Sequence, residues 1–324
     1  MYAIVRSVLR ILIAVVVIAM AGLAVLAIAL RQPTITSLPF KGAQRADPRS
    51  LREHVTFLAA DRNNLQRAAS YIETQFRAAG GDTSVQTFVA RGEQYSNLIT
   101  RFGPRDPTLP LLIIGAHYDA FGDNLPGADD NGSGTAGLLE LARLLGAERI
   151  ASPIMLVAYS TEEPPFFGSE QMGSAIHASS LAAERRRISG MICLEMIGYY
   201  ADRQTWPNVL FALVYPGKGD FIGVAGGWED RKLARFTKRA IAGAGGVRVV
   251  SFSGARATSD ASDHRNYWAH GWPAVVVTDT GFLRNPHYHT RRDTPETLDY
   301  QRMARVVDGV YNAALTFRPL LRNE

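Results

Sequence analysis

Histidines and carboxylates in this sequence collect directly after short apolar runs. LLIIGA at 111–116 is followed by His117-Tyr118-Asp119, and IMLVAYS at 154–160 by Thr161-Glu162-Glu163. MICL at 191–194 is followed by Glu195, and AVVVTD at 274–279, one short loop later, by His287-Tyr288-His289. Imidazoles and carboxylates delivered by four separate runs form the donor set of a metal site. Cys193 is the one cysteine, which excludes an intramolecular disulfide framework and any Cys-cluster metal site. Histidine and carboxylate ligands with open positions read as catalytic rather than structural zinc.

Each motif also has a plainer reading. In His117-x-Asp119, side chains two apart share a side of an extended chain. Asp119 is thus either a solvated neighbour or the group that fixes the tautomer of a metal-bound imidazole. The segment GADDNGSG (127–134) precedes a helical pattern, so its acids can cap the first turn. Two adjacent aspartates exceed what capping requires, and one carboxylate can bridge two cations ~3.5–4 Å apart. Glu162-Glu163 is either a surface pair or a metal ligand beside a general base. The Pro164-Pro165-Phe166-Phe167 that follows is unusual wrapping for solvated charge. Of His287 and His289, the spacing allows one or both to be ligands. His54 and His177 lie in helical patterns and read as structural, as does His270 at a helix end. Ser262-Asp263-His264 reads as a helix cap with a histidine in the first turn, in preference to a lining residue of the site. Ser133 and Ser169 have no partner pattern for nucleophilic catalysis, and Cys193 sits inside an apolar run, which suits burial.

The elements that must position these residues follow from periodicity. Strands are predicted over 111–116, 154–160, 191–194, 209–214 and 274–279, with one or two outer strands within 83–101. Helices are predicted over 51–59, 65–79, 134–145, 168–183, 228–242 and 300–317. Continuous apolar strands separated by helices imply a largely parallel sheet covered on both faces, an α/β sandwich. Such sheets bind ligands at the carboxyl edge of their strands, where the histidines and acids lie.

The N-terminus is of another kind. Residues 11–30 carry no charge, and as a helix at ~1.5 Å per residue they span about 30 Å, the thickness of a bilayer's hydrocarbon. A transmembrane anchor is therefore expected over 1–31. Arg6 and Arg10 precede the run and favour a cytoplasmic N-terminus, which puts the following domain in the periplasm or outside the cell. A cleavable signal peptide, with Ala19-Met20-Ala21 as a weak cleavage site, would make the protein secreted. Residues 32–48, with Pro33, Pro39 and Pro48, read as a stalk, and 49–324 as one catalytic domain. The 35 basic against 30 acidic residues give a formal charge of +5. Arg6, Arg10 and Arg31 belong to the apolar segment, leaving 32 against 30 elsewhere, so no nucleic-acid partner is indicated.

The set GAHYDA, GADDNGSG, STEE, LEMIG and PHYHTRRDTPETLD, in this order, resembles the zinc aminopeptidase family of bacterial leucyl aminopeptidase, aminopeptidase Y and glutamate carboxypeptidase. The resemblance runs from about Leu51 to the C-terminal helix. It implies a three-layer sandwich around a mixed, mostly parallel sheet (the phosphorylase/hydrolase-like zinc exopeptidase fold) and two Zn2+ ions per chain. By position, one zinc would be held by His117 and Glu195 and the other by Glu163 and His289. Asp129 would bridge them, its bond to Asp130 being cis. Asp119 would orient His117, and Glu162 would be the general base. The family more often has aspartate where this chain has Glu195, so the zinc there would sit differently. The implied reaction is peptide-bond hydrolysis at the N-terminus of a peptide substrate. Carboxypeptidase or dipeptidase specificity and a one-zinc glutaminyl cyclase are the alternatives on the same fold, and a receptor-like module without catalysis is a further one. Residues 199–206, 253–261 and 282–284 are candidate substrate walls. Arg256 in the second of these reads as a solvated loop residue rather than a carboxylate binder.

Overall fold

The computed structural model describes residues 2–33, 36–62 and 64–318. Residues 34–35 of the expected stalk and 319–324 of the expected catalytic domain lie outside them. Among the described residues, eight strands form one sheet in the order β1-β2-β4-β3-β5-β8-β6-β7. These are β1 (Asp82–Ala90), β2 (Glu93–Phe102), β3 (Leu111–His117), β4 (Ile154–Tyr159), β5 (Ile188–Leu194), β6 (Phe221–Gly227), β7 (Arg248–Gly254) and β8 (Ala274–Thr278). The centre, β4-β3-β5-β8, is parallel. β2 joins it antiparallel on one side and β6 antiparallel on the other, so the sheet is mixed.

Strand periodicity builds the three layers. Along β3, Leu112, Ile114 and Ala116 face a core shared with α2 (Pro48–Ala59), α3 (Leu65–Ala78), α4 (Gly134–Gly146), α7 (Arg231–Ala244) and α9 (Tyr300–Thr316). Leu111 and Ile113 face the opposite core, under α5 (Gly173–Ala183) and α8 (His264–Trp268). Every residue of β3 is buried, as a central strand covered on both faces requires. α7 and α9 cross closely at Gly309, where an added Cβ would lie 2.6 Å from the Ile241 Cα.

Three expectations change. Residues 209–214 fold as a helix, α6 (Val209–Val214), rather than a strand. The Asn208 side chain accepts the Phe211 N–H at 3.1 Å and starts the turn. Val214 turns inward while Val209, Leu210 and Leu213 stay exposed. β6 and β7 extend the sheet beyond β8, β7 as its edge, and the sequence did not announce them, since FIGVAGG and RVVSFSG are thinned by glycine and serine. α5 begins at Gly173, after an irregular segment that carries a cis Pro164-Pro165 bond.

The long N-terminal helix, α1 (Tyr2–Arg31), has a stretch of 28 residues long and apolar enough to cross a membrane. The segment behind it lies along the domain instead of standing free. Leu38 N–H donates to the Arg239 carbonyl, Lys41 N–H to Asn312 Oδ1, and Ala46 N–H to Asp308 Oδ1. Asn312 Nδ2 donates back to the Leu38 carbonyl. Phe40 meets the Tyr311 ring edge-on. The buried polar groups of α9 thus satisfy backbone that a free stalk would leave to water.

Candidate active site

All the acids and imidazoles that converge do so at the carboxyl edge of the parallel strands. His117 ends β3, Glu162-Glu163 follows β4, Glu195 follows β5, and His289 lies beyond β8. Asp130 comes from the turn ahead of α4. His117 Nε2 lies 3.3 Å from Glu195 Oε2, 3.5 Å from Asp130 Oδ1 and 3.8 Å from Glu162 Oε2. His289 Nε2 lies 2.9 Å from Asp130 Oδ2 and 3.4 Å from Glu163 Oε1. One carboxylate, that of Asp130, therefore faces both imidazoles.

The sequence reading placed Asp129 in that position, and the geometry moves the role by one residue. Asp129 points away: its Oδ1 accepts the Gly198 N–H at 3.0 Å and its Oδ2 the Asn285 amide at 2.8 Å. The cis bond is likewise Asp130-Asn131 and not Asp129-Asp130. Gly127 makes the turn possible. Its φ is +52°, and a Cβ there would run into the Asp130 carbonyl and crowd the Arg62 side chain.

Supporting groups fix the cluster. Asp119 Oδ1 lies 3.3 Å from His117 Nδ1. The Asp119 carboxylate also accepts the N–H groups of Glu162 (3.2 Å) and Glu163 (3.0 Å), tying the β3 and β4 loops together. The His289 imidazole is stacked between Phe121 (3.8 Å between centroids) and Tyr288 (3.7 Å). His287 is turned elsewhere, edge-on to Tyr199, which settles which of the two histidines joins the cluster.

Several contributors escaped the sequence reading. Asp293 accepts the N–H groups of both Asp129 and Asp130, at 2.9 and 3.1 Å. Asn131 donates to the Leu194 carbonyl and to Glu195, and accepts the Gly134 and Met196 N–H groups. Ser262, taken for a cap, donates its hydroxyl to Glu195 Oε2 at 2.7 Å. Arg62 is buried and donates to the Asp119 carbonyl at 2.7 Å. The resemblance motifs contained Asp293 and Asn131, so position there was the available signal; Ser262-Asp263-His264 offered a weaker one as a possible lining of the site, and Arg62 had none. His177, read as structural, bonds Tyr267 in the core, and Arg256 is paired with buried Asp230.

Burial and charge shape the proton affinities. Burial pushes the Glu162 carboxyl well above its ordinary range; His117 opposes this, and Glu195, Asp263 and Glu163 reinforce it. At His289 burial disfavours the cation, but Asp130 and Glu163 hold it and lift the imidazole to about 9. Four carboxylates against two imidazoles and one buried arginine make a site that wants cations. Among the described residues three donor groups have ligand atoms within 4.8 Å: His117, Asp130 and Glu195; Asp130, Glu163 and His289; and His117, Glu162 and Glu163. The first two share Asp130 and between them use both imidazoles. Glu163 Oε1 and His289 Nε2 are buried and make no well-aligned hydrogen bond among the described residues, facing only each other and, for His289, Asp130, as ligand atoms around an ion would. Nitrogen and oxygen donors of this kind suit zinc.

Beside Glu195 opens a cavity of about 640 Å³ walled by Trp206, Phe211, Phe252, Val276 and Phe282. Each of the three candidate substrate walls contributes residues to it.

Comparison with known proteins gives the same direction. The model of Peptidase family M28 matches residues 97–314. The chain is 44% identical to the uncharacterised protein YfbL of Escherichia coli K12, over 86% of this chain and 91% of that one. It is 30% identical to leucine aminopeptidase 1 of Coccidioides posadasii, over 70% of this chain, and spans 56% of that protein's length. Among solved structures, LapB of Legionella pneumophila superposes with a TM-score of 0.65 at 22% identity, over 83% of this chain and 71% of that one. Glutaminyl cyclase of Porphyromonas gingivalis gives 0.65 at 21% identity, over 83% of this chain and 98% of that one. At such identities the last two speak to fold.

Proposed function

Since the chain belongs to peptidase family M28, we propose that it is a membrane-anchored, two-zinc aminopeptidase that removes apolar N-terminal residues from peptides. The observation that carries this is the Asp130 carboxylate lying between His117 and His289, with Glu195 and Glu163 completing a donor group on either side. His117, Asp130 and Glu195 would hold one ion, and Asp130, Glu163 and His289 the other. Zinc supplies Lewis acidity there, lowering the pKa of water towards ~7 and polarising the scissile carbonyl. Asp119 holds the His117 ring and the Glu162-Glu163 backbone in one frame. Glu162, whose burial favours a proton, takes one from the attacking water and gives it to the departing amine as the C–N bond breaks. The cavity beside Glu195 receives the side chain of the N-terminal residue, and its aromatic walls favour a large apolar one. α1 anchors the enzyme, with the catalytic domain outside the cytoplasm.

The test uses the full-length protein in detergent, metal content by elemental analysis, and a peptide library read by mass spectrometry. Two zinc ions per chain and stepwise release of apolar N-terminal residues are expected. Glu162→Gln should keep both ions and lose turnover by roughly 10²–10⁴-fold. A single zinc with cyclisation of N-terminal glutamine would assign the site to acyl transfer instead, and C-terminal trimming to carboxypeptidase chemistry.

A further inference from the structure

The geometry points to a second membrane contact, and we propose that α6 lies in the headgroup–acyl boundary of the bilayer that α1 crosses. This rests on α1 as a spanning helix. Leu23, Ala27 and Leu30, spaced i, i+4, i+7 on one face of α1, pack on a cluster of the catalytic domain made by Val214, Tyr215, Phe221 and Val250. Leu23 precedes Leu30 by seven residues, about 10 Å of helix rise. Both belong to the charge-free run that fills the hydrocarbon, so the domain surface that packs on them reaches to bilayer depth.

The joint is pinned by polar contacts. Lys238 Nζ donates to the Arg31 and Gln32 carbonyls, at 2.8 and 3.0 Å. The Gln32 amide donates to Ser253 and the Ser251 hydroxyl to the Arg31 carbonyl. The domain therefore cannot swing clear of the anchor without breaking buried contacts.

α6 belongs to the same cluster through Val214, and Phe211 packs against it. Its other face is bare: Val209 is 75% exposed, Leu210 43% and Leu213 68%. Three large apolar side chains exposed on a six-residue helix, continuous with the contact to a spanning helix, match an interfacial helix lying on lipid. Trp206, half-buried, stands ahead of it, an amphipathic aromatic of the type enriched at that depth, while Tyr215 behind it is buried in the cluster. Arg203 and Lys218, both exposed, stand on either side in sequence and can reach headgroup phosphates. Trp206, Phe211 and Tyr215 also line the cavity beside Glu195, so lipid would touch the outer side of the substrate pocket's wall.

The test places the full-length chain in nanodiscs of phosphatidylethanolamine and phosphatidylglycerol, with an environment-sensitive fluorophore on one introduced cysteine; native Cys193 is fully buried. Labels go on Leu213→Cys, on Val209→Cys as a second variant, on Ile18→Cys within α1, and on Arg105→Cys at the far end of the sheet. Lipids carrying a doxyl quencher near the headgroup end of the acyl chain, or deeper for position 18, report contact. Quenching at 18, 209 and 213 but not at 105 is expected. Quenching at 18 with 209 and 213 behaving like 105 overturns the α6 contact while the anchor stands. No quenching at 18 overturns the anchor reading, and the α6 contact with it. A blue-shifted but unquenched label at 213 means that protein, such as a second copy of the chain, covers α6, and that too overturns the proposal.

Discussion

A shift of one residue separates the carboxylate that opens towards the imidazoles from one that is tied into the surrounding backbone. Asp130 faces both imidazoles, whereas Asp129 holds the Gly198 N–H and the Asn285 amide. Asp130→Asn should therefore lose zinc, while Asp129→Asn should keep it and destabilise the fold by about 1–3 kcal/mol, since one amide donor would face another. Elemental analysis beside thermal denaturation separates the two outcomes. Residue types and strand ends made His117, Glu162, Glu163, Glu195 and His289 legible as a group. The choice between adjacent aspartates was not legible, because it depends on the left-handed Gly127 and the extended Asp130 backbone (φ −102°, ψ 96°). Spacing carries no record of such a turn. Histidines outside the site give a pH signature of their own. Burial lowers His177 from 6.5 to about 3. Between those values the unfolded chain binds the extra proton, so this stability is present above pH 6.5 and is lost as the pH falls. His177→Gln should flatten the decline in Tm between about pH 7 and about pH 5.

At the scale of elements, the sequence announced the parallel centre of the sheet better than its β6–β7 end. β3, β4, β5 and β8 are continuous apolar runs because both faces are covered. β6 and β7 carry glycine and serine, and their strand character comes from pairing with each other and with β8. VLFALV is too short for periodicity to choose between helix and strand; the Asn208 cap and the packing of Phe211 and Val214 choose helix. The α7–α9 crossing also depends on one small residue. Gly309→Leu should force the helices apart and destabilise the protein by about 1–3 kcal/mol, measured by chemical denaturation, with the zinc content of the folded fraction unchanged.

For the molecule as a whole, the proposed ions would be as much a part of the fold as of the reaction. Asp130, Glu162, Glu163 and Glu195 crowd one buried pocket, and Arg62 is the buried guanidinium beside them. Removing metal with a chelator should lower Tm in a dose-dependent way and zinc should restore it, whereas Asp130→Asn should show neither response. Scanning calorimetry reads this directly. The segment between α1 and α2 adds a consequence for how such a protein is made. Leu38 and Asn312 share a hydrogen bond across 274 residues of chain, and Lys41 and Asn312 another across 271. During synthesis α1 emerges first and α9 last. The strap's bonds to α9 must therefore wait until translation has passed residue 312, while Leu38 can already meet the Arg239 carbonyl. Until then the segment behind α1 is only partly fastened, and the docking of α9 turns it into a fixed mount.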